Sequence, residues 1–208
     1  MSTAIRRSAA ARLSSRRGAV FVEESGWELP ATYGDDASER AVIRDRVAIA
    51  DVTARAKVDV RGSVPRTLPL PDDAVHALIS AAWTLVLGPP DAEGGLIQAI
   101  AAVAGSGATV IDATHLYAGF ALLGPDVPHV LERVTSWDPS ALAPGAAVSA
   151  PIVDVPAVIV RRDLPVPIVE TYVATEHARY AWENLAGVVG GLGGQPVGWQ
   201  ALRAEGWR

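Results

Sequence analysis

The chain has 208 residues, half of them apolar, with a net charge of −5 and no cysteine. That length and apolar content suffice for a substantial core in one domain or two closely joined ones, and the lack of cysteine excludes disulfides, thiol nucleophiles and Cys-ligated zinc or iron–sulfur sites. Residues 1–17 hold five arginines (Arg6, Arg7, Arg12, Arg16, Arg17) and no acid, so the rest carries −10, a balance that argues against nucleic acid as a partner, because phosphate neutralisation needs clustered Lys and Arg.

Taken in chain order, the Arg-, Ser- and Ala-rich start has two readings. One is a transit peptide, which it imitates in composition; the other is an ordered arm, continuing to about residue 22, held by contacts outside the chain's own core. Asp36-x-x-Glu39 reads as a capping box opening a helix through Val42, Ile43 and Val47. Val58 and Val60 alternate with Lys57, Asp59 and Arg61, as in a strand with one wet face. Beyond Gly62 a Pro-rich link runs to Pro71, and the chain divides there into 1–62 and 63–208.

Val75, Leu78, Ile79 and Ala82 fall at i, i+3, i+4 and i+7, predicting a short helix capped by Asp72 or Asp73. Trp83 to Leu87 reads as a strand stopped by Gly88-Pro89-Pro90. From there the order is that of a split β-α-β unit used twice: a helix over Leu96, Ile97, Ile100 and Val103, strands at 109–111 and 116–123, and a helix over Val127, Val130, Leu131 and Val134. Residues 135–150 form a Pro- and Ala-rich connection, and strands follow at 153–161 and 168–173. A helix from Thr175 to Val189 faces Ala178, Ala181, Trp182 and Leu185 inward, with Thr175 as cap. The order from Trp83 to about Arg161 fits a ferredoxin-like sandwich, and the fold class is α+β.

Generic site signatures are absent. His76, His115, His129 and His177 lack H-x-x-x-H or H-E-x-x-H spacing, so no metal site is expected. Gly105-Ser106-Gly107 stops a helix rather than forming a nucleophile elbow, and the glycines from Gly187 to Gly194 follow a helix, as a C-cap and loop, rather than a strand. No apolar run approaches the roughly 20 residues that span a bilayer, so no membrane partner is expected and the protein is placed in the cytoplasm. Six tryptophans stand against two phenylalanines; Trp83 and Trp182 read as core anchors, and Trp27, Trp199 and Trp207 as interface candidates. The many arginines beside a single lysine, Lys57, read as a GC-rich bacterial genome.

Three blocks carry a family resemblance. The first is Arg6-Arg7-Ser8, Gly18 to Phe21, Gly26-Trp27-Glu28-Leu29-Pro30, Tyr33, Glu39, Asp51-Val52-Thr53 and Lys57 to Gly62. The second is Val110 to Thr114, Leu122 to Asp126 and Val130-Leu131. The third is Arg161-Arg162-Asp163, Glu170 to Val173, Glu176-His177-Ala178, Tyr180, Trp182 and Leu185. They resemble the glycine-cleavage T-protein (aminomethyltransferase), or folate-binding-fold, superfamily. The third block resembles most the small γ subunit of heterotetrameric sarcosine oxidase. The resemblance implies a T-protein-like folate-binding fold with a ferredoxin-like sandwich and without the family's carboxy-terminal β-domain. Residues 1–62 then form an arm, helix and strand of T-protein type, and 63–208 a ferredoxin-like α+β body.

What the resemblance implies about function turns on departures. The family's paired-aspartate G-x-I-x-D-D-L pattern, which supplies the acid for tetrahydrofolate chemistry, is missing after Gly62, where Ser63-Val64-Pro65-Arg66 stands. Leu164-Pro165-Val166-Pro167 replaces the Y-T-G-E-x-G turn. Glu170 falls roughly where the pterin-binding glutamate lies, and alternation puts Tyr172 on the same strand face, so these two are the folate candidates; the bland reading is a solvated strand glutamate. No catalytic residue is assigned. The implied role is a non-catalytic subunit of a flavin-dependent amine-oxidising complex. Flavin would sit on larger partner subunits, which also carry the one-carbon transfer to tetrahydrofolate. The alternative is a stand-alone tetrahydrofolate-dependent aminomethyl- or methyltransferase. The iron–sulfur-maintenance branch of the superfamily needs a cysteine motif that this chain lacks.

Overall fold

A computed structural model of the chain describes residues 4–62, 64–65 and 67–207. Ser63 and Arg66 of the Pro-rich link, and residues 1–3 of the arm, lie outside the described residues. In order, the elements are β1 (Arg6–Arg7), α1 (Ala11–Arg16), β2 (Val20–Glu24), β3 (Trp27–Thr32), α2 (Asp36–Asp45), β4 (Ala48–Asp51), β5 (Ala56–Arg61), β6 (Val75–Ser80), β7 (Trp83–Gly88), α3 (Glu93–Ala101), β8 (Thr109–Asp112), β9 (Tyr117–Leu123), α4 (Val127–Val134), β10 (Ala147–Ile152), β11 (Val155–Arg162), β12 (Ile168–Ala174), α5 (Ala178–Gly191), β13 (Gln195–Pro196) and α6 (Trp199–Ala204). The class is α+β, as the pattern predicts.

Among the described residues three sheets form, ordered β1-β3-β2, β10-β11-β12-β9-β4-β13 and β6-β7-β5-β8. The split β-α-β unit does occur twice. β7 and β8 flank β5, with α3 as crossover, and β9 and β11 flank β12, with α4 as crossover. The two units belong to different sheets, so the stretch from Trp83 to Arg161 is not one sandwich. The β-α-β-β-α-β order starts one unit later, at β9-α4-β11-β12-α5-β13, with β10 added before β11 as its edge partner and β4 inserted between β9 and β13. Strands from both sides of residue 62 pair in the two larger sheets.

The helices α4 and α5 cover one face of the six-stranded sheet, with Phe120, Leu122, Val169 and Val173 meeting Val130, Leu131, Trp182 and Leu185. On its other face Val158, Val160 and Tyr172 meet Ala77, Leu85 and Leu87 of the four-stranded sheet, whose far face is covered by α3 through Leu96 and Ile100. This stacking corrects two expectations. The face of β5 that carries Lys57 and Asp59 is buried between the sheets (0% and 3% exposed) rather than wet. Residues 75–80 form a strand, not a helix, because the inter-sheet slot takes Ala77 with Val75 and Ile79 at every second position and leaves Leu78 outside.

Local details also differ. The cap of α2 is Asp35, whose carboxylate accepts from the Ser38 N–H; Glu39 turns away and accepts from Thr32, Tyr33 N and Gly198 N. A 3₁₀ turn at Thr175–His177 precedes α5, and Thr175 donates to the His115 carbonyl instead of capping. Trp27, Trp199 and Trp207 are buried within the chain (2%, 2% and 3% exposed), not left for a partner. The arm folds onto its own chain as well. β1 pairs with β3, Arg6 bonds Glu93 (2.9 Å) and Asp91 (3.1 Å), Arg7 pairs with Glu28, and Ala10 and Ser14 are fully buried. Arg12, Arg16 and Arg17 make no ion pair among the described residues, and Val20 remains exposed.

The ring of Tyr172 lies over Gly119, its register partner on β9. A Cβ at Gly119 would come within 2.7 Å of that ring. Gly119→Ala is expected to cost about 1–3 kcal/mol by overpacking, read as a lower urea midpoint with an unchanged slope.

Candidate functional site

The strand β12 places Ile168, Glu170 and Tyr172 on the face that meets the four-stranded sheet, so Glu170 and Tyr172 share a face as the alternation predicts. That face is dry. Glu170 is fully buried rather than solvated, and a carboxylate can persist there only if its lone pairs are taken up. Four side chains do this. Oε1 accepts from Arg162 Nη1 (2.6 Å), Trp207 Nε1 (2.7 Å) and Arg55 Nη1 (2.9 Å). Oε2 accepts from the Tyr172 hydroxyl (2.5 Å) and from Arg55 (3.2 Å).

Each donor reaches Glu170 from a different element. Arg162 ends β11 on the face of Val158 and Val160. Arg55 sits in the turn where the chain leaves the six-stranded sheet at β4 and enters the four-stranded sheet at β5. Its side chain is fully buried, it donates through Nε to the Gly88 carbonyl (3.3 Å), and its guanidinium carbon lies 5.0 Å from the centre of the Trp207 ring. Trp207 is set by the end of α6. Gly206 takes a left-handed φ of +85°, its N–H bonds the Arg203 carbonyl (3.0 Å) and the Trp207 N–H bonds that of Leu202 (3.4 Å). This is the paired bonding of a Schellman turn, which returns the residue after the glycine to the helix's apolar side.

The electrostatics follow from this packing. Burial alone would raise the Glu170 carboxyl, but the guanidiniums of Arg55 and Arg162 outweigh it and hold the group below the ordinary glutamate range. Burial, and then the Glu170 charge, push the Tyr172 phenol well up, so it stays a donor. Close by, the only lysine is also interred. Lys57 Nζ donates to the carbonyls of Thr53 and Arg55 (both 2.7 Å), and burial, seconded by Arg55, lowers it to about 7. Asp51 is buried with Oδ1 on the Thr53 N–H (3.0 Å) and Oδ2 without a partner among the described residues; burial raises it.

Of the two sequence-predicted site residues, Glu170 and Tyr172 meet and bond each other. Arg55, Arg162 and Trp207 were not read as belonging with them. The one local signal was Gly206 directly after a helical stretch, which marks Trp207 as a residue turned back onto its helix. Among the described residues no cluster of His, Asp and Glu could hold a metal ion, and no helix is long and apolar enough to cross a membrane.

No protein-family model matches the chain. The aminomethyltransferase of Streptomyces coelicolor is 26% identical over 226 residues, which span 95% of this chain and 61% of that protein. That of Streptomyces avermitilis is 24% identical over 188 residues, 77% of this chain and 50% of that protein. Among solved structures, the glycine cleavage system aminomethyltransferase T from Bartonella henselae matches with a TM-score of 0.77 at 18% identity, covering 97% of this chain. The fold is that of the T-proteins.

A chain of the heterotetrameric sarcosine oxidase from Corynebacterium sp. U-96 matches the same T-protein fold with a TM-score of 0.64 at 16% identity, over 90% of this chain and 96% of that one. These likenesses agree on the T-protein superfamily that the three sequence blocks resemble. The chain spans 50–62% of the length of the aminomethyltransferases it matches.

The resemblance implies tetrahydrofolate, with Glu170 and Tyr172 as the candidates to meet its pterin. An ionised carboxylate offers about four lone-pair sites, and the five contacts on Glu170 use them. With Trp207 in place the cluster presents no free acceptor to a pterin's N–H groups, so the residues do not fit that group in this arrangement.

Two measurements check this account. Glu170→Ala leaves Arg55 buried without its anion and is expected to lower stability by about 3–5 kcal/mol in urea unfolding; an unchanged midpoint would mean the cluster does not hold the fold. Lys57 is lowered from its ordinary 10.5 to about 7, so between those values only the unfolded chain keeps the proton. Its contribution to stability therefore grows with pH across that window and is lost as pH falls through about 7. Tm should rise from pH 7 toward pH 9, and Lys57→Met should flatten that rise.

Proposed function

We propose that the chain acts as a non-catalytic, T-protein-type subunit of a heteromeric, flavin-dependent amine-oxidising enzyme of the sarcosine oxidase kind. Larger partner subunits carry the flavin and hand the one-carbon unit to tetrahydrofolate; this chain binds neither group alone and helps hold the assembly together in the cytoplasm. The observation that carries this reading is the state of Glu170. The carboxylate that is the folate candidate is spent on the chain's own Arg55, Arg162, Tyr172 and Trp207. The absent paired-aspartate pattern supports it, since loss of a general acid or base costs about 10²–10⁴-fold in rate. So does the match over nearly the full length of a chain from a heterotetrameric sarcosine oxidase.

The second reading, a stand-alone tetrahydrofolate-dependent transferase, is favoured by the aminomethyltransferase relatives. The two separate cleanly. Under the subunit reading the isolated chain shows no turnover of tetrahydrofolate with a methylated amine, and the protein purified from its own host elutes with larger, flavin-coloured chains. Turnover by the isolated chain, or a host protein that runs alone without flavin, would overturn it.

A further inference from the structure

The strand β11 ends in two arginines that part company. Arg162 shares the face of Val158 and Val160, toward Glu170 and the four-stranded sheet. Arg161 shares the opposite face with Ala157 and Ile159, the side covered by α4 and α5. There it lines a cavity of about 380 Å³, within the size range of small-molecule sites. Val127 and Leu131 of α4, Ile168 and Val169 of β12, and Leu142 give that cavity a buried apolar lining. A further wall is a turn of 3₁₀ helix at Pro139–Ala141, and it is firmly tied. Asp138 accepts from the Ser140 N–H (2.9 Å), Arg161 Nη1 donates to the Leu142 carbonyl (2.8 Å), and the Arg161 backbone bonds Gly145 N and the Ala146 carbonyl (both 2.9 Å).

Arg161 has no anion of its own. Of the two acids that line the cavity, both exposed at its rim, Glu132 lies against His129 (3.4 Å) and Asp138 against its own turn. Among the described residues Arg161 makes no ion pair, and no side-chain hydrogen bond beyond that to Leu142. A guanidinium carries five N–H donors in a fork that matches a carboxylate, so most of this one is unspent beside apolar walls. We propose that the cavity is a binding site for small apolar monocarboxylates. The carboxylate pairs with Arg161, and an aliphatic or aromatic tail lies on Val127, Leu131 and Ile168. Glu132 and Asp138 set the limit at the rim: they repel a second carboxylate and accommodate an ammonium, so simple carboxylic acids and apolar amino acids share the required chemistry. The site has no residue in common with the Glu170 cluster and goes beyond the subunit reading, so failure of either leaves the other standing.

The experiment titrates the full chain with 4-methylpentanoate and with leucine, read by calorimetry and thermal unfolding. A bound probe at about ten times its Kd should raise Tm by roughly 3–6 °C. The neutral 4-methylpentanamide, which offers Arg161 no charge, and glutarate, which brings a second one to the rim, should each bind at least about tenfold more weakly than 4-methylpentanoate. Tighter binding of leucine assigns the site to amino acids, and tighter binding of 4-methylpentanoate to simple carboxylates; either supports it. Two variants locate the binding. Arg161→Gln keeps an N–H for the Leu142 carbonyl and should lose at least about tenfold in affinity. Ser140→Trp, at an exposed position of the lining, should block the cavity and abolish the response while the fold stands. A wild type indifferent to both probes, equal binding of the acid and its amide, or unchanged affinity in either folded variant overturns the proposal. Should Arg161→Gln fail to fold, Ser140→Trp and the comparison of acid with amide decide.

Discussion

A carboxylate and a guanidinium, both fully enclosed, meet between the two large sheets, and much of the surrounding structure exists to make that tolerable. The Arg55–Glu170 pair is fully enclosed, and a buried ion pair gains from Coulomb attraction only if hydrogen bonds take up the remaining lone pairs and N–H groups, as they do for Glu170 and for all of Arg55 but Nη2, which has no partner among the described residues. Each of those bonds comes at the expense of an element's freedom. Arg162 fixes the end of β11, Tyr172 the inter-sheet face of β12, Gly88 the end of β7, and Trp207 the turn after α6. The pair sits where the chain passes from one sheet to the other, so the same contacts set the two sheets in register. An apolar core of similar volume could match its stability but would not specify which side chain from α6 onward belongs at that point.

The face of β5 shows how far the sequence was legible. Alternation placed Lys57 and Asp59 together on one side of the strand, and they are there. What alternation does not reveal is what lies across from that side. Polar residues on one strand face ordinarily mean water, yet here Lys57 ends on two backbone carbonyls and Asp59 on Arg61, Trp83 and Tyr117. The same gap explains β6. Val75, Leu78, Ile79 and Ala82 satisfy a helical period and Val75, Ala77 and Ile79 satisfy a strand's; the slot between the sheets decides for the second. β10 left less trace still. Its hairpin turns through Val153 and Asp154, both at positive φ, without the Asn-Gly or Asp-Gly pair that usually marks such a turn.

The tryptophans and the arm fail as interface signals for a shared reason. Aromatic surplus and clustered charge say that partners are required, not that they lie in another molecule. Trp27 finds Arg6 and His115 on its two sides, 5.0 and 5.6 Å away, and Trp199 finds Trp207 and Arg203. Of the arm's arginines, Arg6 meets Asp91 and Glu93 and Arg7 meets Glu28, all of the same chain. By contrast, the pairing of Glu170 with Tyr172 was readable, because it needs only the period of a strand. Their donors were not, since Arg55 and Trp207 lie 115 and 37 residues away along the chain.

The distance between a ligand-reading carboxylate and a structural one is therefore small in chemical terms. Glu170 has the burial, the lowered pKa and the aromatic neighbours that suit a carboxylate to reading N–H groups on a flat ring; what differs is who supplies them. Ligand-supplied donors leave the carboxylate in search of partners in the free protein, which destabilises the fold until the ligand arrives and stabilises it afterward. Chain-supplied donors reverse this, since the fold gains the bonds at once and a ligand must first displace them. Two arginines and a tryptophan around one glutamate are enough to move a site from the first condition to the second without altering the strand that carries it.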